Sequence, residues 1–360
     1  MLGVCRRLTA NNSLLALSSL SSLSSTNKSF GLLVDIDGVL IRGSRTIEGT
    51  VEGFKKLADG QGNLIKPVVF LTNGSYRSEE AKAEELSEKL NVNISGDQIV
   101  LVNTPLRTFT SWHHKNVFFA GQGSSLCQAA RDLGFTKPVV MADVVRDIPM
   151  FDVISHRKRL ALTSGVLPTE LPSYLPVEGI VIANTPVGWD AHVQFLLDLL
   201  LTNGELRNSS KTQLPLIACN PDLVWASEYH LPRIANGAFV HMLAALYKEM
   251  SGRELEVTWC GKPTQLTYNY ALETLARDAA RLGVQLDGVY GIGDNVDVDV
   301  VGANSNGVTS VLVCSGLYRN KGLDFERKVT VKSKRDSVTT PITADYATKN
   351  IGRFIDYLMD

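Results

Sequence analysis

Short apolar runs alternate with amphipathic stretches along most of the chain. The apolar runs predict buried strands at residues 31–36, 67–71, 287–292 and 310–313. The amphipathic stretches predict helices at residues 49–58, 78–90 and 265–282. Because strands alternate with helices, the pattern predicts a parallel α/β sheet, in which ligands bind at the carboxyl ends of the strands.

The middle of the chain shows a second alternation of the same kind. It predicts strands at residues 116–120, 139–141, 153–154, 179–183 and 214–218, with a helix over 192–201. This block is too long for a single crossover connection, so it predicts an inserted domain with its own sheet. The predicted organisation is a targeting or disordered segment at 1–29, a core formed by 30–102 and 246–360, and an inserted domain at 103–245. The polar, basic stretch 320–340 predicts an exposed loop.

The composition of the 360-residue chain is that of a globular protein, with 44% hydrophobic and 20% charged residues. This excludes disorder as the main state. With 36 basic and 37 acidic residues the formal net charge is −1. Basic residues are not in excess, so the charge does not predict a nucleic-acid partner. No apolar run approaches the roughly 18 residues of a membrane span. The five cysteines form no CxxC motif, which argues against a zinc knuckle and favours a reducing compartment.

The first thirty residues differ from the rest of the chain. They contain no Asp or Glu, they are rich in Ser and Leu, and they carry Arg6, Arg7 and Lys28. A basic, Ser-rich segment without acids is typical of a mitochondrial transit peptide. A secretory signal peptide is the second interpretation, although Ser residues interrupt its apolar stretch. An unstructured tail without a targeting function is the third.

Two acids follow the first predicted strand, in the motif Asp35-Ile36-Asp37-Gly38. A carboxylate at a strand end can attack phosphorus and form an acyl phosphate. A second carboxylate, Asp37, can protonate a leaving oxygen and then deprotonate the attacking water. Acids before a Gly also make ordinary turns, so this motif alone decides nothing.

Two further motifs suit the binding of a phosphoryl group. Thr72-Asn73-Gly74 follows the second predicted strand and offers a hydroxyl and backbone N–H groups. Gly261-Lys262-Pro263 offers a fixed positive charge through Lys262. A strand-to-helix turn and a surface lysine are the ordinary alternatives.

A third acidic motif follows the predicted strand 287–292. It places Asp294, Asp297 and Asp299 within six residues. Acids after a buried strand suit Mg²⁺, and like charges this close favour a nearby cation. The alternative is an ordinary helix N-terminus, where the helix dipole favours acidic side chains. This explains one of the three acids easily and all three less well. No segment of the sequence has the residue spacing of a dinucleotide-binding, P-loop, EF-hand, GxSxG or HExxH motif.

Taken together and in this order, the four motifs resemble those of the haloacid dehalogenase superfamily, most of whose members are Mg²⁺-dependent phosphatases that form an aspartyl-phosphate. The resemblance implies that Asp35 is the nucleophile and Asp37 the acid/base. It implies that Thr72 and Asn73 bind the phosphoryl group and that Lys262 neutralises charge. The implied magnesium ligands are Asp35, Asp37 through its backbone carbonyl, Asp294 and Asp299. Asp297 lies outside this set.

The insertion between the second and third motifs resembles a type C2 cap. The motifs, with Asn220-Pro221-Asp222, resemble subfamily IIA, which includes NagD-like and phosphoglycolate phosphatases. Residues 184–190, 218–225 and 261–264 are similar to the cat eye syndrome critical region 5 type of that subfamily. The resemblance implies a doubly wound Rossmannoid core with an inserted α/β C2-type cap domain. It also implies a location in the mitochondrial matrix. Caps of type C2 often pair in dimers, so a homodimer is one alternative, and the oligomeric state stays open.

The expected function is that of a Mg-dependent phosphatase acting on a small phosphorylated metabolite, a phosphate monoester. A phosphate-binding regulatory protein without turnover is the alternative, and a phosphotransferase is a third possibility. The resemblance does not supply the substrate. Specificity should come from the inserted domain, where Asn184, Trp189, Asp190 and the basic run 156–159 are candidates that could equally be structural.

Overall fold

The chain folds into two compact units. The computed structural model describes residues 28–74, 78–148, 172–225, 231, 233–333 and 341–360. The first unit contains residues up to Thr72 with 80–100 and 265–360, and the second contains 73–79 and 101–264. The strand predicted at 153–154, the basic run 156–159 and residues 1–27 of the predicted targeting segment lie outside the described residues.

The strands and helices of both units are numbered along the chain. The strands are β1 (Lys28–Val34), β2 (Ile41–Arg42), β3 (Arg45–Thr46), β4 (Val68–Leu71), β5 (Ile99–Val100), β6 (Asn116–Ala120), β7 (Lys137–Val140), β8 (Gly179–Ile182), β9 (Leu216–Cys219), β10 (Val224–Trp225), β11 (Arg233–Ile234), β12 (Thr258–Cys260), β13 (Gln285–Gly293), β14 (Thr309–Val313), β15 (Phe325–Lys332) and β16 (Pro341–Thr348). The α-helices are α1 (Thr50–Lys56), α2 (Glu79–Leu90), α3 (Leu126–Asp132), α4 (Met141–Asp147), α5 (Trp189–Leu201), α6 (Asn236–Ser251), α7 (Gln265–Arg281), α8 (Val301–Ser305) and α9 (Ile351–Met359).

The first unit is built on a seven-stranded sheet in the order β15-β16-β14-β13-β1-β4-β5. Neighbouring strands are parallel except for β15 and β16, which are antiparallel. Strand β1 lies inside the sheet, between β13 and β4, and carries the apolar run Leu32, Leu33 and Val34, all buried. An uninterrupted apolar run is what a strand buried on both faces requires.

Helices cover both faces of this sheet. Successive side chains of a strand point to opposite faces. Phe70 of β4 stacks on Phe54 of α1, with ring centroids 5.8 Å apart. Its neighbours Val69 and Leu71 instead share a buried cluster with Leu275 of α7. The arrangement confirms the predicted doubly wound parallel α/β sheet.

The second unit has a separate, all-parallel sheet of five strands in the order β12-β9-β8-β6-β7. Phe118 of β6 contacts Phe195 of α5, with ring centroids 4.9 Å apart. The adjacent Phe119 contacts Phe135, with centroids 5.0 Å apart. The inserted segment therefore has an α/β sheet and core of its own.

The second unit extends further along the chain than the predicted limit at residue 245. Helix α6 runs through that position, and its buried residues Phe239, Leu243 and Tyr247 belong to the core of this unit. Strand β12 then pairs with β9, from Thr258 opposite Ile217 onward. The second unit therefore ends at Thr264. The sequence did not predict this limit, because a three-residue strand leaves too short a pattern to be detected.

The exposed loop predicted at 320–340 is wrong at residues 325–332, which form the sheet strand β15. Residues 320–324 precede this strand without regular secondary structure, and residues 334–340 lie outside the described residues. It pairs antiparallel with β16, from Phe325 opposite Thr348 to Lys332 opposite Pro341. Its charged residues are mainly exposed, while Val329 and Val331 pack on a buried cluster. Charged side chains are a common protection of an edge strand, so the polarity that suggested a loop belongs to the edge of the sheet.

Candidate active site

Three buried carboxylates meet at the carboxyl ends of β1 and β13. Asp35 follows β1, and its backbone N–H donates to the Ile292 carbonyl of β13 at 2.9 Å. Asp294 follows β13, and Asp299 lies on a π-helical turn at Val296–Val300. The three carboxylates lie within 4.8 Å of one another and their residues are 8%, 4% and 5% exposed. The strand order therefore brings Asp35 together with two acids that lie about 260 residues further along the chain.

The donor set of this triad fits a magnesium ion. Buried like charges at such distances are unfavourable unless a cation or a proton neutralises them. Carboxylate oxygens are hard ligands, and Mg²⁺ commonly uses one or two of them together with water and phosphate oxygens. Within the part of the chain that the structure describes, no other group of three such side chains could hold a metal ion.

The Asp294 carboxylate is enclosed by backbone on two sides. The Leu317 N–H donates to Asp294 Oδ2 at 2.5 Å. A Cβ atom on Gly38 would lie 2.2 Å from the same oxygen, and one on Gly316 would lie 1.7 Å from it. Both positions require glycine because any side chain would occupy the place of the carboxylate.

Residues 315–317, here called the Asp294 clamp, are held by a second layer of contacts. The Ser315 hydroxyl donates to the Gly38 carbonyl at 2.7 Å. The Arg42 guanidinium donates to the carbonyls of Ser315 and Gly316. These contacts join the turn after Asp35 to the loop after β14, so they fix the surroundings of Asp294.

Asp299 and Asp297 have different environments although they are two residues apart. The Asn295 N–H donates to Asp299 Oδ2 at 3.0 Å, and the Tyr268 hydroxyl donates to the Asp299 carbonyl at 3.2 Å. The Asp297 carboxylate instead accepts a hydrogen bond from the Ser333 hydroxyl and is not part of the triad.

Asp37 is exposed, and its carboxylate is not part of the triad. Its neighbour Gly38 has a left-handed backbone, with φ of 91°, and the Gly38 N–H donates to the Ile41 carbonyl at 2.7 Å. The turn thus points the two acids of this motif to different surroundings. An exposed carboxyl group is suited to exchanging protons, and a metal contact by Asp37 would use its backbone carbonyl.

In the second unit, Asn73 and Lys262 are in direct contact. The Lys262 N–H donates to Asn73 Oδ1 at 2.7 Å, and Asn73 Nδ2 donates to the Lys262 carbonyl at 3.0 Å. Asn73 Nδ2 also donates to Asp222 Oδ2 at 3.0 Å. The side-chain amide of Asn73 is thus engaged with protein groups, so a contact to phosphate by Asn73 would use its backbone N–H.

The predicted site residues are divided between the two units. Asp35, Asp37, Thr72, Asp294 and Asp299 belong to the first unit, whereas Asn73 and Lys262 belong to the second. Thr72 is buried, and its N–H donates to the Val100 carbonyl at 3.1 Å. The catalytic, phosphate-binding and metal roles assigned to these residues stay predictions.

Sequence reasoning missed the contributions of Arg42, Gly316 and Asp222. Asp222 was noted only as part of a motif shared with subfamily IIA. The signal for Gly316 was its position just beyond strand β14, at the same end of the sheet as the acids. No pattern in the sequence marks Arg42, because its contacts are made 273 residues further along the chain.

The specificity candidates within the described residues make contacts inside the second unit. Asn184 Oδ1 accepts a hydrogen bond from the Gln122 N–H at 2.6 Å. Trp189 packs edge-on against Phe239, with ring centroids 5.2 Å apart. Asp190 Oδ1 accepts from the Ala191 N–H at 2.9 Å in the first turn of α5. All three side chains thus have contacts within the second unit, and their role in specificity stays a prediction.

Cysteine chemistry is disfavoured at Cys219, which lies at the end of β9. Its hydrogen bond with Cys260 and its burial raise the pKa of the Cys219 thiol well above the usual range. Burial also raises the pKa of the Cys314 thiol. Because the thiolate is the nucleophilic form, neither cysteine is suited to attack an ester.

Solved structures share this fold. A p-nitrophenyl phosphatase from Archaeoglobus fulgidus has a TM-score of 0.57 and 23% identity, covering 92% of this chain and 99% of that one. A glycerol phosphate phosphatase from Mycobacterium tuberculosis, solved in complex with magnesium, has a TM-score of 0.52 and 20% identity, covering 80% of this chain and 68% of that one.

No helix among the described residues is long and apolar enough to cross a membrane.

Sequence comparisons identify the family. A model of haloacid dehalogenase-like hydrolases matches residues 32–136, and a HAD-hydrolase-like model matches 259–336. A mitochondrial hydrolase of Saccharomyces cerevisiae is 32% identical over 330 residues, covering 84% of this chain and 91% of that protein. This chain spans only 50% of another 32% identical relative, a cardiolipin synthase/mitochondrial hydrolase fusion protein of Schizosaccharomyces pombe. Assignment to the cat eye syndrome critical region 5 type stays a prediction. The chain belongs to the haloacid dehalogenase-like hydrolase family.

Proposed function

We propose that the protein is a Mg-dependent phosphatase that hydrolyses a small phosphate monoester through an aspartyl-phosphate at Asp35. The observation that carries the proposal is the buried triad of Asp35, Asp294 and Asp299, with Asp35 at the carboxyl end of the interior strand β1. Two solved structures of the same fold are of proteins named as phosphatases, one of them in complex with magnesium.

The proposed reaction has two steps, both at phosphorus. In the first, an Asp35 oxygen forms a bond to phosphorus while the bond to the ester oxygen breaks, and Asp37 gives that oxygen a proton. In the second, Asp37 takes a proton from water as the water oxygen attacks the aspartyl-phosphate. Inorganic phosphate leaves, and the Asp35 carboxylate is restored.

The other residues of the site act by charge and position. Asp35, Asp294, Asp299 and the Asp37 carbonyl would hold Mg²⁺, which when bound neutralises charge on the phosphoryl oxygens. Lys262 and Thr72 would stabilise the negative charge that the transition state spreads over those oxygens. The pairing of a nucleophile with an acid/base two residues later supports hydrolysis of an ester.

The test is phosphate release by the full chain from a panel of phosphate monoesters. We expect release with Mg²⁺, loss of release with excess EDTA and recovery when Mg²⁺ is restored. Release that is unchanged by EDTA would contradict a metal-dependent reaction. Binding of Mg²⁺ without release from any ester would favour the regulatory alternative, and a phosphorylated alcohol as product would favour a phosphotransferase.

We also propose that the protein acts in the mitochondrial matrix. The acid-free, basic composition of residues 1–29 supports this proposal. One yeast relative is named as a mitochondrial hydrolase, and the name of the other includes a mitochondrial hydrolase as one part of a fusion protein. Residues 1–29 fused to a fluorescent protein should carry the reporter into mitochondria. The control replaces Arg6 and Arg7 with Glu and should leave the reporter outside. Secretion of the reporter, or equal distribution of both fusions, would contradict the proposal.

A further inference from the structure

We propose that Asp222 is a positioning residue for Lys262 and that it acts through the side-chain amide of Asn73. The inference deepens the proposed function and rests on it, because Lys262 is taken to meet the phosphoryl group. Asp222 has no role in the proposed reaction steps. All three residues belong to the second unit.

The Asn73 amide holds the peptide groups of Lys262 from both sides. Asn73 Oδ1 accepts from the Lys262 N–H at 2.7 Å, and Asn73 Nδ2 donates to the Lys262 carbonyl at 3.0 Å. Asn73 and Lys262 are 9% and 3% exposed. Hydrogen bonds in such a buried place are costly to break, because the separated groups find no water. The backbone from which the Lys262 side chain starts is therefore fixed.

Asp222 determines the orientation of that amide. An ionised carboxylate only accepts hydrogen bonds, so it must face the NH₂ group of Asn73, whose Nδ2 lies 3.0 Å from Asp222 Oδ2. The amide oxygen is thereby directed to the Lys262 N–H. The bond to a charged acceptor is also stronger than one between neutral groups. Without Asp222, one of the two Nδ2 hydrogens loses its partner and the amide loses its anchor.

Asp222 is itself held by its neighbours. Its N–H donates to Asn220 Oδ1 at 2.9 Å, and the Gly237 N–H donates to the Asp222 carbonyl at 2.9 Å. A Cβ atom on Gly237 would lie 2.6 Å from that carbonyl oxygen, so this close approach requires glycine. The carboxylate is thus presented from a fixed backbone, as a positioning group must be.

The expected consequence is a charge on Lys262 that is placed before the substrate binds. Preorganised charges stabilise a transition state most because they need not be reoriented during the reaction. Loss of Asp222 should leave the Lys262 charge in place but less well directed. Its effect should therefore be smaller than that of removing the charge, and it should depend on Lys262 being present.

A double-mutant cycle on the full chain tests this dependence. Lys262→Met should lower kcat about 100-fold and Asp222→Ala about 10-fold, in line with the loss of one charge-stabilising group and its partial misplacement. The double variant should be no slower than Lys262→Met alone. Asp132→Ala, which removes an exposed acid of the same unit, should match the wild type. A double variant slower by the product of the two single effects would overturn the proposal.

A second measurement separates this inference from the proposed function. The same cycle is measured as the dissociation constant of inorganic phosphate by calorimetry, which needs no turnover. If the wild type binds phosphate and hydrolyses no ester, the proposed function is contradicted. If the phosphate affinities of the variants are non-additive in the expected way, the positioning role is supported even then. A wild type that does not bind phosphate would overturn the positioning role.

The fold of each variant is checked by urea unfolding. If Asp222→Ala does not fold, Asp222→Asn takes its place, because Asn keeps an acceptor oxygen and the size of the side chain while removing the charge. A smaller loss with Asp222→Asn, again absent when Lys262 is Met, supports the proposal. Equal activity of Asp222→Asn and the wild type in both kcat and phosphate affinity overturns it.

Discussion

Replacing Asp35 with Asn is expected to lower phosphate release at least about a thousandfold, as removal of a covalent nucleophile usually does. The carboxamide is a poor nucleophile and cannot form the acyl phosphate. The shape of the side chain is kept, and a buried negative charge is removed from beside Asp294 and Asp299. We therefore expect the variant to fold, and rates of release under saturating Mg²⁺ measure the effect.

Asp297→Asn is the matched control for this prediction. Asp297 undergoes the same chemical change and lies in the motif of the triad, but its carboxylate contacts Ser333 and is not part of the triad. Its rate should stay close to that of the wild type. Turnover retained by Asp35→Asn would disprove the nucleophile assignment, and equal losses in both variants would indicate a general effect of charge.

Replacing Gly316 with Ala is expected to weaken Mg²⁺ binding about 10- to 100-fold, the usual effect of changing a residue that supports a metal ligand. The new Cβ atom would lie 1.7 Å from Asp294 Oδ2, so the carboxylate has to move. The same Cβ atom would lie 2.4 Å from Asp294 Cγ and 2.6 Å from Asp294 Cβ, so the whole Asp294 side chain is displaced. The backbone of Gly316 is not left-handed, so the expected strain comes from these contacts. Calorimetric titration with Mg²⁺ measures the affinity without any substrate.

Gly322→Ala provides the control for the Asp294 clamp. Gly322 lies six residues further along the chain, also outside the left-handed region, and a Cβ atom there would meet only Asn320 Oδ1 at 3.9 Å. The Mg²⁺ affinity of Gly322→Ala should equal that of the wild type. Asp294→Asn should bind Mg²⁺ more weakly than the wild type and Gly322→Ala. Unchanged affinity in Gly316→Ala would show that the Asp294 clamp does not position the ligand.

Much of the first unit could be predicted from the sequence because its strands are short and continuously apolar. Residues 31–36 and 287–292 were identified as strands, and the structure places β1 and β13 at nearly the same positions. The acids of the triad directly follow such strands or lie one turn beyond. In a parallel sheet all these ends lie at one edge, so the pattern placed the acids at the same edge of the sheet. The pairing of β1 with β13 in the structure then brought them together.

The sequence did not predict the second unit as well. Its limit at Thr264 depends on the pairing of β12 with β9, which joins residues about 40 positions apart. Strand β15 was missed because its exposed face is charged, which in a single sequence is hard to distinguish from a loop. In both cases the decisive interaction is a backbone ladder to a distant strand, and that ladder leaves little trace in local composition.

The sequence by itself determined the fold class, the chemical types of the site residues and their order along the chain. Only the tertiary structure decided which of them touch and what supports them. Asn73 reaches a lysine 189 residues away, and Ser315 reaches a glycine 277 residues back. Contacts of this kind depend on where the folded backbone places each group, and hydrophobic periodicity specifies which face of a strand or helix is buried but not its distant neighbours.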